Sequence, residues 1–287
     1  MREPLDPRFR SGPPASPPAA PPPIPAALAD LLAGATWEQT WVKAESEVWR
    51  VGRPAGPAYL KIIDDAGEFA GELARLRWLA DRSPIPTPEV LGDAVDDQRR
   101  GWLVTAEVPG IPSHDPTLLV PDARPLVEAV GAGLRRFHDV LDPGSCPFSY
   151  RVDALVTSAE ARVAQGGVDP STMASTTYRR SSPERLLEHL VATRPDTPAE
   201  DLVVAHGDPC QPNLLIDPTA PAGERLCGLV DVGRVGVSDR YRDLAIAIRS
   251  LLMNLDPEVV PWFLDAYGLR DPDPQRLEWY VLVDDMW

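Results

Sequence analysis

The sequence predicts an α+β protein in two lobes: a small β-sheet lobe carrying one helix, followed by a larger, mainly helical lobe. Three observations predict it. Short runs rich in Val, Ile, Trp and Tyr cluster between Thr36 and Ala106, the composition of strands. From about residue 122 onward the apolar residues recur at helical spacing instead,. Between the two regions lies the break Glu107-Val108-Pro109-Gly110.

The elements follow in chain order. Residues 1 to about 25 contain Pro4, Pro7, Pro13, Pro14, Pro17, Pro18, Pro21, Pro22, Pro23 and Pro25. Such a stretch has too few apolar side chains to fold, and a disordered, polyproline-leaning arm is expected over 1–25. Residues 26–107 form the expected first lobe. Its strands are Thr36 to Val42, Ser46 to Val51 and Ala58 to Ile63, with a turn at Pro54-Ala55-Gly56-Pro57,. Phe69, Leu73, Leu76 and Ala80 make one helical stripe,. Pro84, Pro86 and Pro88 stop that helix, and strands Val90 to Val95 and Trp102 to Ala106 follow around an Asp96-Asp97 turn. Residues 108–287 form the second lobe. Its expected helices lie at roughly 122–140, 152–165, 183–194, 239–254, 257–267 and 274–286. Three short strands interrupt them, Leu202 to Ala205, Leu214 to Ile216 and Leu226 to Val230.

Composition narrows the function. At 287 residues and 44% hydrophobic content the chain can bury a sizeable core,. It has no apolar run of about 18 residues, so no membrane span is expected. The proline-broken start cannot form the apolar helix of a secretory signal. Cys146, Cys210 and Cys227 include no C-x-x-C pair, which reads as reduced thiols in a cytoplasm,. A net charge of -15 should repel nucleic acid and anionic membrane, and it suits a cationic small-molecule partner,. The expected assembly is a monomer or weak dimer.

The chemistry concentrates near residue 206. His206-Gly207-Asp208 follows an apolar strand, Asn213 comes five residues after Asp208, and Asp231 ends the next apolar run in Val230-Asp231-Val232-Gly233. Each alone reads as a turn residue. Together they read as a phosphotransfer site. Asp208 can orient the proton of an attacking hydroxyl, and Asn213 and Asp231 offer hard oxygens to Mg2+ carried on a nucleoside triphosphate. Lys43 and Lys61 are the only lysines. Lys61, central in Tyr59-Leu60-Lys61-Ile62-Ile63, suits a strand-borne phosphate ligand, with Glu68 or Glu72 on the next helix as its partner. Spacing does not choose between them. His206 reads as a buried loop-orienting residue, and His138 as a core residue near a helix end.

These segments resemble the aminoglycoside 3'-phosphotransferase family, small-molecule kinases with a protein-kinase-like fold. The resemblance covers about residues 35 to 287. It is carried by Val203-Val204-Ala205-His206-Gly207-Asp208, Pro212-Asn213, and Val230-Asp231-Val232-Gly233-Arg234 through Asp239-Arg240-Tyr241-Arg242-Asp243-Leu244-Ala245. It implies ATP, or GTP, as co-substrate with Mg2+, held between the two lobes. Asp208 would be catalytic, and Asn213 and Asp231 the metal ligands. Lys61 would pair with Glu72 at the nucleotide phosphates, with Ser46 in the loop over them. Glu107 and Val108 would belong to the hinge beside adenine, and Asp243 would brace the catalytic loop. Arg234, Arg249, Asp284, Asp285 and Trp287 would line the site for an amino-sugar antibiotic, whose 3'-hydroxyl would be phosphorylated. The consequence would be antibiotic resistance.

The sequence also departs from the family. The loop Lys43-Ala44-Glu45-Ser46-Glu47 has no glycine and two acids, residues 166–176 are nearly devoid of acids, and Ser250 and Met253 stand where relatives often carry acids. These departures keep two alternatives open: a kinase of a different small-molecule alcohol or antibiotic, and a nucleotide-binding pseudokinase.

Overall fold

A computed structural model describes residues 22–43, 46–119, 121–173 and 175–286. The chain divides into two compact units. One runs to Arg82 and through Pro86–Pro109; the other comprises Ser83–Ile85 and the chain from Gly110 on. The proposed proline arm falls almost wholly outside the described residues.

In the first unit, β1 (Thr36–Lys43), β2 (Ser46–Arg53), β3 (Gly56–Ile63), β4 (Val90–Val95) and β5 (Gly101–Ala106) form an antiparallel sheet in the order β1-β2-β3-β5-β4. The period-2 pattern of β3 assigns its faces. Ala58, Leu60 and Ile62 point into a core with Trp49, Val51, Trp102 and Val104, while Lys61 lies on the opposite face. The core face is closed by Leu28 and Leu32, from a short 3-10 turn and the turns after it. Those two leucines carry no strand or helix pattern, and sequence reasoning did not assign them to the core.

Helix α1 (Ala66–Leu79) is capped by Asp65, whose carboxylate accepts the Glu68 N–H at 2.7 Å,. It packs against β5 so closely that Phe69 fills the space where a Cβ on Gly101 would stand. Its buried stripe is Phe69, Glu72, Leu73, Leu76 and Leu79. The expected Ala80 is instead the exposed C-cap. The larger Leu79, one residue earlier, takes the buried position because it has more apolar area to hide.

In the second unit, β6 (Ile111–Pro112) is followed by α2 (Arg124–Val140), α3 (Val152–Ala164) and α4 (Pro183–Ala192). Then come β7 (Leu202–Ala205), β8 (Leu214–Ile216), β9 (Leu226–Leu229) and β10 (Gly236–Asp239), and last α5 (Tyr241–Asn254), α6 (Val259–Tyr267) and α7 (Pro274–Asp285). The strands form two small sheets, β6-β8-β9 and β10-β7, all antiparallel. Ser182 and Asp273 cap α4 and α7, each with proline at the first helical position,. Helices α2 and α6 meet at Gly131, where a Cβ would stand 2.4 Å from the Phe263 carbonyl, so only glycine permits that approach. A core of Leu155, Val156, Ala159, Met173, Tyr178, Leu186, Leu190, Trp279 and Tyr280 joins α3, α4 and α7.

The expected helices and the strands β7, β8 and β9 are present within a few residues. Two strands were not anticipated. Helix α5 begins at Tyr241 rather than 239, because Gly236–Asp239 pairs with β7. Asp239 then accepts the Tyr241 N–H at 2.9 Å. Among the described residues no helix is long and apolar enough to cross a membrane.

Candidate active site

Strand β7 delivers His206, Gly207 and Asp208 to its C-terminal end. Gly207 sits at φ +85°, and a Cβ there would stand 2.2 Å from the Arg234 carbonyl. Only glycine satisfies both conditions.

The turn is held from below by Asp243, buried on the first turn of α5. Its carboxylate accepts the N–H of His206 at 2.7 Å and of Gly207 at 2.8 Å. It is also 2.9 Å from Nε2 of His138, whose Nδ1 lies 2.8 Å from the Tyr267 hydroxyl. Burial pushes the Asp243 carboxyl up, but the hydrogen bond to His138 and the bond from the Gly207 N–H outweigh it. The group is left below the ordinary carboxylate range,. His138, expected only to fill core, is thus a link between α2, α6 and this loop.

His206 is fully buried, as its loop-orienting reading requires. Its Nδ1 accepts the Asp208 N–H at 3.2 Å, so Nε2 carries the ring proton and donates to the Val230 carbonyl at 3.1 Å,. The Val230 N–H in turn donates to the Asn213 carbonyl at 3.0 Å. One imidazole therefore couples the backbone of Asp208 to the residue preceding Asp231.

Asn213 ends a 3-10 turn that Pro212 helps to set. Its Nδ2 donates to the Asp208 carbonyl at 3.0 Å. The donor half of the amide is spent inward, and the remaining side-chain group is a hard oxygen acceptor. Asp231 is exposed, in the left-handed conformation at φ 54° and ψ 55°. That backbone state is uncommon outside glycine, although Asp tolerates it better than most residues. Cys210 reports the proximity of the two acids. Its thiol is pushed well up by burial, by the charge of Asp208, by a hydrogen bond with it, and by the charge of Asp231. The thiol stays protonated and is no nucleophile at neutral pH. An amide oxygen and a carboxylate beside a second carboxylate form a donor set that fits Mg2+.

The proposed substrate residues also come together. Arg249 bonds Asp284 and reaches Asp285 at 2.9 Å, Arg234 stands 3.4 Å from Asp284, and the Ser175 N–H donates to Asp285 at 3.1 Å. Two carboxylates thus face two guanidinium groups. Trp287, the fifth residue of that group, lies outside the described residues.

In the first unit, Lys61 Nζ is 2.7 Å from Glu72 Oε2. This resolves the choice between Glu68 and Glu72. Glu72 lies in the buried stripe of α1, whereas Glu68 is an exposed residue of its first turn. The pair is mostly buried, with side chains 20% and 7% exposed. Ser46 opens β2, while Ala44 and Glu45 before it lie outside the described residues. Glu107 is held by Arg50 at 2.7 and 3.3 Å, and its N–H donates to the Pro57 carbonyl at 3.2 Å. Its carboxylate is thus engaged by a side chain of β2. Sequence reasoning missed Ser113, Gln211 and Asn254, which hydrogen-bond to one another within and beside the loop from Asp208 to Asn213; no motif marks them.

A strand-borne Lys–Glu pair, together with an Asp-x4-Asn loop and a following Asp turn, defines a phosphotransferase. The comparisons agree. Residues 36–280 match the phosphotransferase enzyme family, and this chain belongs to it. It is similar to an aminoglycoside 3'-phosphotransferase of Streptomyces fradiae, 37% identical over 249 residues, covering 82% of this chain and 87% of the relative. A streptomycin 3''-kinase of Streptomyces griseus is 35% identical over 230 residues, covering 77% and 81%. Among solved structures, an aminoglycoside-3'-phosphotransferase of type VIII superimposes with a TM-score of 0.76 at 35% identity, covering 91% of this chain and 98% of that one. An aminoglycoside phosphotransferase of Streptomyces rimosus, solved with ADP and streptomycin, gives 0.75 at 28% identity, covering 91% and 96%. The fold is the kinase-like α+β fold of these enzymes.

Proposed function

We propose that this chain transfers the γ-phosphoryl group of ATP to a hydroxyl of an aminoglycoside, the 3'-hydroxyl by resemblance, and so confers resistance in the cytoplasm where it acts. The observation that carries the reading is the locked group of Asp208, Asn213 and Asp231. Two backbone N–H bonds to Asp243 and the His206 bridge fix it before any ligand arrives. Phosphoryl transfer asks a protein mainly for such positioning and for charge neutralisation.

In this reading the Asp208 carboxylate accepts a hydrogen bond from the attacking hydroxyl and takes up its proton as the new bond to the γ-phosphorus forms and the bond from that phosphorus to the bridging oxygen breaks, releasing ADP. Asn213 and Asp231 would hold Mg2+, which would supply charge neutralisation to the phosphate group. Lys61, oriented by Glu72, pairs with the inner phosphates, and Ser46 contributes from the start of β2. Glu107 and Val108 face the base with backbone groups. Replacing Lys61 by Met should raise the nucleotide KM about 10- to 100-fold, the equivalent of one charged hydrogen bond. Steady-state kinetics at varied ATP will show it.

Arg234, Arg249, Asp284, Asp285 and Trp287 are the proposed acceptor-binding group. Here one observation favours a second reading, an acceptor less cationic than most aminoglycosides. Asp284 and Asp285 are already neutralised by Arg249 and Arg234. A polycation must displace those guanidinium groups or bind beside them. Purified protein should be assayed with ATP and GTP against 3'- and 3''-hydroxyl aminoglycosides and against neutral antibiotic alcohols. Phosphorylation of an aminoglycoside is expected. Turnover confined to neutral alcohols would establish the second reading, and no product from any acceptor would defeat both.

A further inference from the structure

Between Asp208 and Asn213 the catalytic loop contains a glutamine that is 1% exposed. Every polar group of Gln211 is paired. Its N–H donates to Ser250 Oγ on α5 at 2.9 Å. Its carbonyl accepts the Ser113 hydroxyl at 2.9 Å and also the Leu214 N–H. Its Nε2 donates to the Ser113 carbonyl at 3.0 Å, and its Oε1 accepts Asn254 Nδ2 at 2.6 Å. The amide orientation is settled by the partners, because the Ser113 carbonyl can only accept. Ser113 is itself tied to β8, its N–H donating to the Leu214 carbonyl at 2.8 Å.

We infer that Gln211, clasped by Ser113, Ser250 and Asn254, is a positioning residue that sets the spacing between Asp208 and Asn213. The inference rests on the functional reading above and adds to it. A fully satisfied buried network specifies one conformation, because leaving any member unpaired is costly. It lies where positional error matters most, since the loop has only four residues between Asp208 and Asn213. It also gives Ser250 a task. On α5 this side chain is buried and turned into the loop, where its small hydroxyl accepts a backbone N–H. A carboxylate there would bring an additional buried charge.

The test compares two substitutions of equal shape. Ser250→Thr keeps the hydroxyl; Ser250→Val removes it. Gln211→Met and the double variant Gln211→Met with Ser250→Val complete a cycle. Ser250→Val and Gln211→Met are each expected to lower kcat about 10- to 30-fold, with acceptor KM changed less than about threefold. The double variant should be no worse than about twice either single, and Ser250→Thr should retain at least about a third of kcat. Two readouts stand apart from turnover. The Mg2+-dependent gain in ADP affinity, measured by calorimetry with and without EDTA, should shrink at least about fivefold in Val and Met but not in Thr. Amide exchange at Gln211 should quicken in Val alone of the Ser250 pair.

Loss of thermal stability with kcat and the Mg2+ gain unchanged would overturn the inference, as would Thr falling as low as Val. Should a core substitution fail to fold, Asn254→Ala removes only the bond from an exposed residue. It must still lower kcat at least about threefold, and an unchanged kcat would overturn the inference. A wild-type protein inactive on every acceptor would defeat the functional reading alone, while the exchange measurement would still decide the clasp.

Discussion

Asp208→Asn is expected to lower kcat about a thousandfold while leaving nucleotide affinity and thermal stability near those of the wild type. The size follows from the role. A positioned group that accepts a proton in the transition state contributes about 10²–10⁴-fold. Asn has the same shape but cannot take up a proton. Its effect on the fold should be small, because the bonds that hold this turn run through the Asp208 backbone. The N–H goes to His206 and the carbonyl accepts from Asn213. Single-turnover phosphorylation with saturating ATP, alongside calorimetric ADP titration, separates the two quantities. A loss under about tenfold would show that orientation of the acceptor, and not proton acceptance, is what Asp208 supplies.

Asp243→Ala is expected to cost about 3–5 kcal/mol of stability, the range for removing one partner from a buried charged network. The substitution strands the N–H groups of His206 and Gly207 and one nitrogen of His138, all out of water,. At this chain length that corresponds to a fall in Tm on the order of 10 °C. Thermal unfolding followed by circular dichroism measures it directly. The pH dependence has a definite sign. The folded pKa of Asp243 lies below the ordinary value of 3.8. Its contribution is therefore fully present above that value and is lost as pH falls through the lower, folded pKa. Wild-type protein should lose stability below about pH 4, and the Asp243→Ala curve should be flatter in that interval. Parallel curves would remove Asp243 as the source.

Where side-chain periodicity was strong, the fold was legible before any coordinates. The five strands of the first unit and the six long helices of the second carry apolar residues at spacings that only one local structure can bury. The losses have physical causes. β6 is two residues long and contains proline, so it has no period to read. β10 ends in Ser238 and Asp239, which look like a helix start. They are buried because Tyr150, Thr197 and Arg276 satisfy them. The choice between Glu68 and Glu72 was undetermined because both lie near one flank of α1. It was decided by which of them the sheet buries beside Lys61, a tertiary fact. The ion pairs of Asp284 and Asp285 with Arg234 and Arg249 are likewise tertiary, and spacing along the chain does not show them. Gln211 sat in view inside the motif, but its partners are about forty and a hundred residues away in sequence.

Leu28 and Leu32 have a practical bearing on how this enzyme is handled. The region that matches the family begins at residue 36, and a truncation designed from that boundary would discard both leucines. Trp49 and Trp102, which share a core with them, would then lose that packing. The shortest version fit for expression or crystallisation must therefore start upstream of Leu28, and indole fluorescence offers an immediate check that the cover has been kept.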